Sequence, residues 1–143
     1  MNDKIIFKKV IPEGSNYVAG ASDCAIRAFS SLFNTGFTYM RNEFKKALPN
    51  AEHFNNKLVG FTGDQIVEVL AAKQVKYDVL YPKNDKLLVR QMLELDKEML
   101  VSCSNNSVTH LTCVKNGVMH DSSDEFLDYF VEYVIVMNPE LPL

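Results

Sequence analysis

Cysteine is scarce in this chain, and the three present, Cys24, Cys103 and Cys113, form an odd set whose spacings match neither a disulfide framework nor a paired-cysteine zinc pattern. A reducing, cytoplasmic setting is therefore the expectation. Nowhere do eighteen apolar residues follow one another, which argues against a membrane-spanning helix, and the opening Met-Asn-Asp-Lys starts no apolar run of the secretory type. No membrane association is expected. Neither charge sign dominates: 15 Lys and Arg stand against 18 Asp and Glu, a net charge of −3, with no long run of either. Binders of the nucleic-acid backbone are usually basic, so no nucleic-acid partner is expected. Histidine is limited to His53, His110 and His120. No two of the His, Cys and acidic residues stand at a recognised ligand spacing, so neither metal nor other cofactor is expected.

What remains is a chain of 143 residues, 47% hydrophobic and 23% charged, close to the average of soluble globular proteins. That length closes one sizeable core and argues for a single domain over residues 1–143. The six Tyr and nine Phe fall at periodic apolar positions and read as core, not as a stacking platform for bases.

Residues 1–22 read as an approach strand at Ile5 to Phe7 followed by a loop with Pro12, Gly14 and Gly20, and residues 138–143, with Pro139 and Pro142, as a tail. From Asp23 the period changes: Ala25, Ala28, Phe29 and Leu32 recur at helical spacing, with Ser22 as candidate N-cap and Asn34-Thr35-Gly36 as the stop. Thr38 is placed to cap a second helix facing Met40, Phe44 and Leu48 inward. Thr62 and Gln65 have capping-box spacing ahead of a third, with Ile66, Val67, Val69 and Leu70 as its buried stripe. Val75 to Leu80 alternates as a strand, and Asp85 to Leu95 reads as a fourth helix. Met99 to Cys103, Ser107 to Val114, Val118 to Asp121 and Tyr129 to Met137 all read as strands, with Asn116-Gly117 a strong hairpin signal. Helices first and strands later predict an α+β fold, its helices packed on one largely antiparallel sheet.

Cys24 falls in the first turn of a helix, where free backbone N–H groups and the positive end of the macrodipole favour an anion. A thiolate is the nucleophilic form, so this cysteine is the candidate nucleophile; the alternative is a small buried hydrophobe. With Asn116 and Gly117 as the loop, Lys115 faces Val118, Cys113 faces His120, Thr112 faces Asp121 and His110 faces Ser123. Alternation then puts His110, Thr112, Asp121 and Ser123 on one face and Leu111, Cys113 and His120 on the other. His110 and Asp121 become diagonal neighbours, roughly 7–8 Å apart at the backbone and within side-chain reach. A cysteine, a histidine as its base and an acid to orient that histidine make a catalytic triad. Cys113 opposite His120 is a rival pair, weaker because a mid-strand cysteine has no helix dipole to stabilise its thiolate.

The segment Ser22-Asp23-Cys24-Ala25-Ile26-Arg27-Ala28, then Thr109-His110-Leu111, then Asn116-Gly117-Val118-Met119-His120-Asp121, resembles the small papain-like cysteine peptidases of bacteria and phages. In these an Asp-Cys-x-x-Arg-Ala helix start precedes a His strand and a hydrophobic-x-Asp strand, and the likeness spans roughly Asn16 to Asp124. It implies a papain-like fold with Cys24 as nucleophile, His110 as general base and acid, and Asp121 as the orienting member. It also implies an oxyanion hole from the Cys24 backbone N–H and a polar side chain, commonly Gln, six positions upstream. Val18 stands there instead. Asn16 and Ser22 are the candidates to take over a role worth about 3–4 kcal/mol in the transition state.

Asp23 and Arg27 form an i, i+4 pair that on a helix surface contributes a few tenths of a kcal/mol. Arg27 is also the candidate anchor for a substrate carboxylate, or for the neighbouring sheet. His53, among Asn50, Asn55 and Asn56, is expected to be exposed. The implied activity is hydrolysis of a peptide or isopeptide bond in a peptide or protein substrate. The alternatives are an acyltransferase or transamidase using the same triad, and an inactive papain-like module that binds a host or partner protein.

Overall fold

The computed structural model describes residues 4–11 and 23–137. The approach loop from Pro12, the positions Asn16, Val18 and Ser22, and the tail 138–143 lie outside the described residues. Six strands, β1 (Phe7–Lys9), β2 (Tyr77–Leu80), β3 (Met99–Ser104), β4 (Thr109–Lys115), β5 (Val118–Asp121) and β6 (Phe130–Met137), form one sheet in the order β1-β5-β4-β3-β6-β2. Four of its pairings are antiparallel, and β1 joins β5 in parallel, so the sheet is mixed. The helices are α1 (Cys24–Phe33), α2 (Phe37–Ala47), α3 (Gly63–Ala72) and the short α4 (Val89–Met92). The class is α+β, as the order of periodicities predicts.

Both faces of the sheet are covered. Against one, α1, α2 and α3 bury Ile26, Phe29, Met40, Phe44, Ile66 and Leu70 on Leu100, Leu111, Cys113 and Ile135. Against the other, α4 and two 3₁₀ turns (Leu93–Leu95 and Asp124–Asp128) bring Val89, Leu93, Phe126 and Leu127 onto Met99, Val101, Cys103 and Val114. Central strand β3 is therefore buried on both sides, with Met99, Leu100, Val101 and Cys103 feeding the two layers. Helix α1 is buried nearly all round, and its far end is pinned where Lys115 Nζ donates to the Ser31 carbonyl, a cation at the negative end of the helix dipole.

The hairpin forms in the expected register. Asn116 (φ 54°) and Gly117 (φ 75°) both take the left-handed conformation that a two-residue loop of matching twist requires, and Lys115 pairs with Val118 and Cys113 with His120. The Thr62 and Gln65 box also forms, each side chain accepting the other's backbone N–H.

Several boundaries differ. Helix α2 starts from Gly36, whose carbonyl accepts the Met40 N–H, so Thr38 lies inside the first turn and does not cap it. The fourth helix shrinks from Asp85–Leu95 to α4 and the turn after it, because Leu87 to Val89 is used by the sheet: Val131 N–H donates to the Leu87 carbonyl and Val89 N–H to that of Tyr129. Strand β2 begins two residues late, after Gln74 turns the chain at φ 58°. Strand β1 begins at Phe7, where the expected run ended.

Candidate active site

Helix α1 begins at Cys24 because Asp23 supplies the first carbonyl, accepting the Arg27 N–H at 3.1 Å, while the Asp23 side chain turns away from the cap to Arg27. Cys24 is thus the first helical residue, with its backbone N–H free of any bond within the helix. The pairing of β4 with β5 stops at Cys113 and His120. Beyond that pair the edge of β4 is met by the first turn of α1, where the Leu111 backbone hydrogen-bonds the Cys24 sulfur.

His110 leaves β4 on the face opposite Leu111, across from Cys103. Its Nε2–H donates to Asp121 Oδ2 at 2.7 Å, which fixes the tautomer and leaves Nδ1 for the hydrogen bond with Cys24. Phe126 stacks on the imidazole with ring centres 3.6 Å apart and planes within 5°. Asp121 Oδ1 accepts the Ser122 N–H at 2.6 Å and lies 3.6 Å from Arg27 Nη2. The structure therefore brings Cys24, His110 and Asp121 together. Asn16 and Ser22, the oxyanion candidates, are outside the described residues.

The electrostatics follow from this geometry. Burial by itself pushes the Cys24 thiol up, but the hydrogen bond and charge of His110, the Leu111 backbone and the Arg27 guanidinium together hold it below the ordinary thiol value. Burial likewise depresses His110, yet its hydrogen bonds to Asp121 and Cys24, and their charges, raise it to about 9. For Asp121, burial is outweighed by the hydrogen bond and charge of His110, and the carboxyl is held below its usual range. All three shifts favour a thiolate and imidazolium resting as an ion pair beside a carboxylate. The rival pair behaves otherwise. Cys113 is fully buried under α1 and its thiol is pushed up to about 12, chiefly by that burial. Cys103 is raised as well.

Two expectations are corrected. Asp23 and Arg27 are both buried, not a solvated surface pair: Arg27 Nη1 reaches Asp23 Oδ1 at 3.0 Å while Nη2 faces Asp121, so the guanidinium ties the helix start to the sheet. Arg27 also forms part of the cavity wall, but its charge is already engaged by these carboxylates. His53 is 3% exposed, because the 3₁₀ turn Glu52–Phe54 tucks it among Phe54 and Phe61, where Nδ1–H donates to the Val59 carbonyl at 2.7 Å. The polar residues around it in sequence hid an apolar nest built from Phe61, eight residues away.

A cavity of about 910 Å³ opens beside the sulfur, walled by Phe61, Gly63, Ile66, His110 and Tyr133 among others. Gly63 matters there: a methyl group on it would sit 3.2 Å from the Tyr133 hydroxyl across the cleft. Sequence reasoning missed Phe126, although Ser123-Asp124-Glu125 is a capping signature ahead of Phe126 and Leu127, and Ser123 does accept the Glu125 N–H. Among the described residues no helix is long and apolar enough to cross a membrane. Comparison with models of known protein families returns no match, and comparison with curated protein sequences returns none either.

Proposed function

We propose that the chain is a papain-like cysteine hydrolase that cleaves a peptide or isopeptide bond through Cys24, His110 and Asp121. The observation that carries this reading is the imidazole of His110 held between the Asp121 carboxylate at 2.7 Å and the Cys24 sulfur at a helix start. The Cys24 thiolate attacks the substrate carbonyl carbon, and the C–N bond breaks as His110 protonates the leaving amine. That leaves a thioester on Cys24. His110, now neutral, takes a proton from water as the water oxygen attacks the thioester, releasing the acid and restoring the thiolate and imidazolium. Asp121 keeps Nε2–H engaged throughout, and Phe126 covers one ring face. In this reading the backbone N–H of Cys24, at the first helical position, is one donor to the oxyanion. A reducing compartment suits a nucleophile that must remain a thiolate.

Reactivity tests the reading directly. Iodoacetamide at mildly acidic pH is expected to label Cys24 well ahead of Cys103 and Cys113, and His110→Ala to slow that labelling to the rate of an ordinary thiol. A Cys24 rate that is ordinary and indifferent to His110 sinks the hydrolase and leaves a binding module. Peptide aldehydes and ubiquitin-like aldehydes, read as mass added to Cys24, then separate peptide from isopeptide substrates. Product appearing only with an added amine identifies acyl transfer.

A further inference from the structure

The cleft wall beside Cys24 carries cations and anions of very different availability. Its cationic residues are Arg27 and His110. Both are committed, Arg27 to Asp23 and Asp121 and His110 to Asp121 and Cys24. Its other carboxylates, Glu125 and Glu132, have no ion pair among the described residues, and the segments outside those residues contain no Lys or Arg. Among the described residues of the cleft wall, the charge left uncommitted is therefore negative.

Glu132 reaches the cleft through a specific backbone feature. Along β6, Ser102 of β3 pairs with Tyr133 but Cys103 pairs with Val131, so the register slips by one and Glu132 is the extra residue of a β-bulge. Regular alternation would send Glu132 to the face opposite Tyr133, into the apolar layer of Val101, Val134 and Phe126. The bulge keeps Val131 in that layer and turns Glu132 to the cavity beside Tyr133, with Ser102 Oγ 3.5 Å from Glu132 Oε1. Glu125 enters from another element, the 3₁₀ turn whose next residue, Phe126, covers the imidazole.

We infer that this cleft selects a substrate with a Lys or Arg side chain next to the bond under attack, its cation received by Glu132 and Glu125; the inference rests on the hydrolase reading. The 910 Å³ cavity is large enough for a long side chain together with the peptide that bears it. Both carboxylates are exposed, so the selection is moderate and sensitive to salt.

A matched set of dipeptidyl acyloxymethyl ketones tests this, with Arg, Lys, neutral citrulline or Glu at either residue and labelling of Cys24 followed by mass. At low ionic strength the Arg and Lys probes are expected to react about fivefold faster than citrulline at one of the two positions, with Glu the slowest. Glu125→Gln with Glu132→Gln removes the difference, and so does high salt; circular dichroism confirms that the double variant is folded. Equal rates for Arg and citrulline at both positions, or a preference that persists in the folded double variant, overturn the inference. Iodoacetamide on the wild type keeps the two readings apart: fast, His110-dependent labelling with no preference for a cation defeats only the selectivity, whereas ordinary labelling defeats the hydrolase.

Discussion

One hairpin supplies the histidine to two cysteine–histidine combinations, and they behave in opposite ways. Cys113 and His120 face each other across β4 and β5 in perfect register, yet the thiol is pushed up to about 12 and the imidazole is held below its ordinary value, first by burial and then by Lys115 and Lys8. Cys24 and His110 lie 86 residues apart on different elements, yet the thiol is lowered and the imidazole raised to about 9. Burial opposes ionisation at all four groups. What differs is the compensation: Asp121, Arg27, the Leu111 backbone and a helix start serve one pair, and nothing comparable serves the other. Having a cysteine near a histidine is not enough; a third group must make the ion pair cheaper than two neutral side chains.

The largest test of that contrast is deletion of each base. His110→Ala is expected to reduce amide hydrolysis by about 10²–10⁴-fold, while His120→Ala leaves it within twofold. A comparable loss in both variants would erase the distinction between the pairs. Next in size is the cation that underlies the working pair. Arg27→Met leaves Asp23 buried without its partner, and urea unfolding should show a loss of about 3 kcal/mol, partly restored by Arg27→Lys. Removal of an ordinary exposed helix pair would cost only tenths of that, so a small loss would mean the guanidinium is not holding helix to sheet.

A further contrast concerns pH, and the two histidines should differ in sign. His110 is raised from 6.5 to about 9, so its contribution to stability is complete below about pH 6.5 and disappears as pH rises through about 9. His120 is lowered, so the folded state resists its protonation and the native protein loses stability relative to His120→Gln as pH falls through about 6.5. Urea titrations of wild type, His110→Gln and His120→Gln across this range measure both. Parallel curves for the two variants would contradict the assignment of charge.

Legibility in the sequence followed the range of the interaction. The capping box at Thr62 and Gln65, the left-handed Asn116 and Gly117, and the alternation about that turn which joins His110 to Asp121 all follow from regular local patterns, and all three form as read. The exposed reading of His53 and the solvated reading of the Asp23–Arg27 pair failed because no local period marks what packs on them: Phe61 folds back over the first, and Asp121, far along the chain, makes Arg27 the buried tie to the sheet that was the alternative for it. Phe126 on the imidazole was foreshadowed only by a capping signature, and the bulge that aims Glu132 left no mark that periodicity could detect, since one extra residue in a strand looks like any other.

Local chemistry in the chain determined by itself the α+β class, the hairpin register, and a helix start that presents Cys24 at its positive end, because dihedral preference and periodicity act over a few residues. Which histidine meets that sulfur, and which carboxylates remain free in the cleft, was decided only by tertiary structure. The early end of the β4–β5 ladder, the seating of α1 on the exposed strand edge and the bulge in β6 all arise from packing two apolar layers against one sheet, a requirement that no short segment contains.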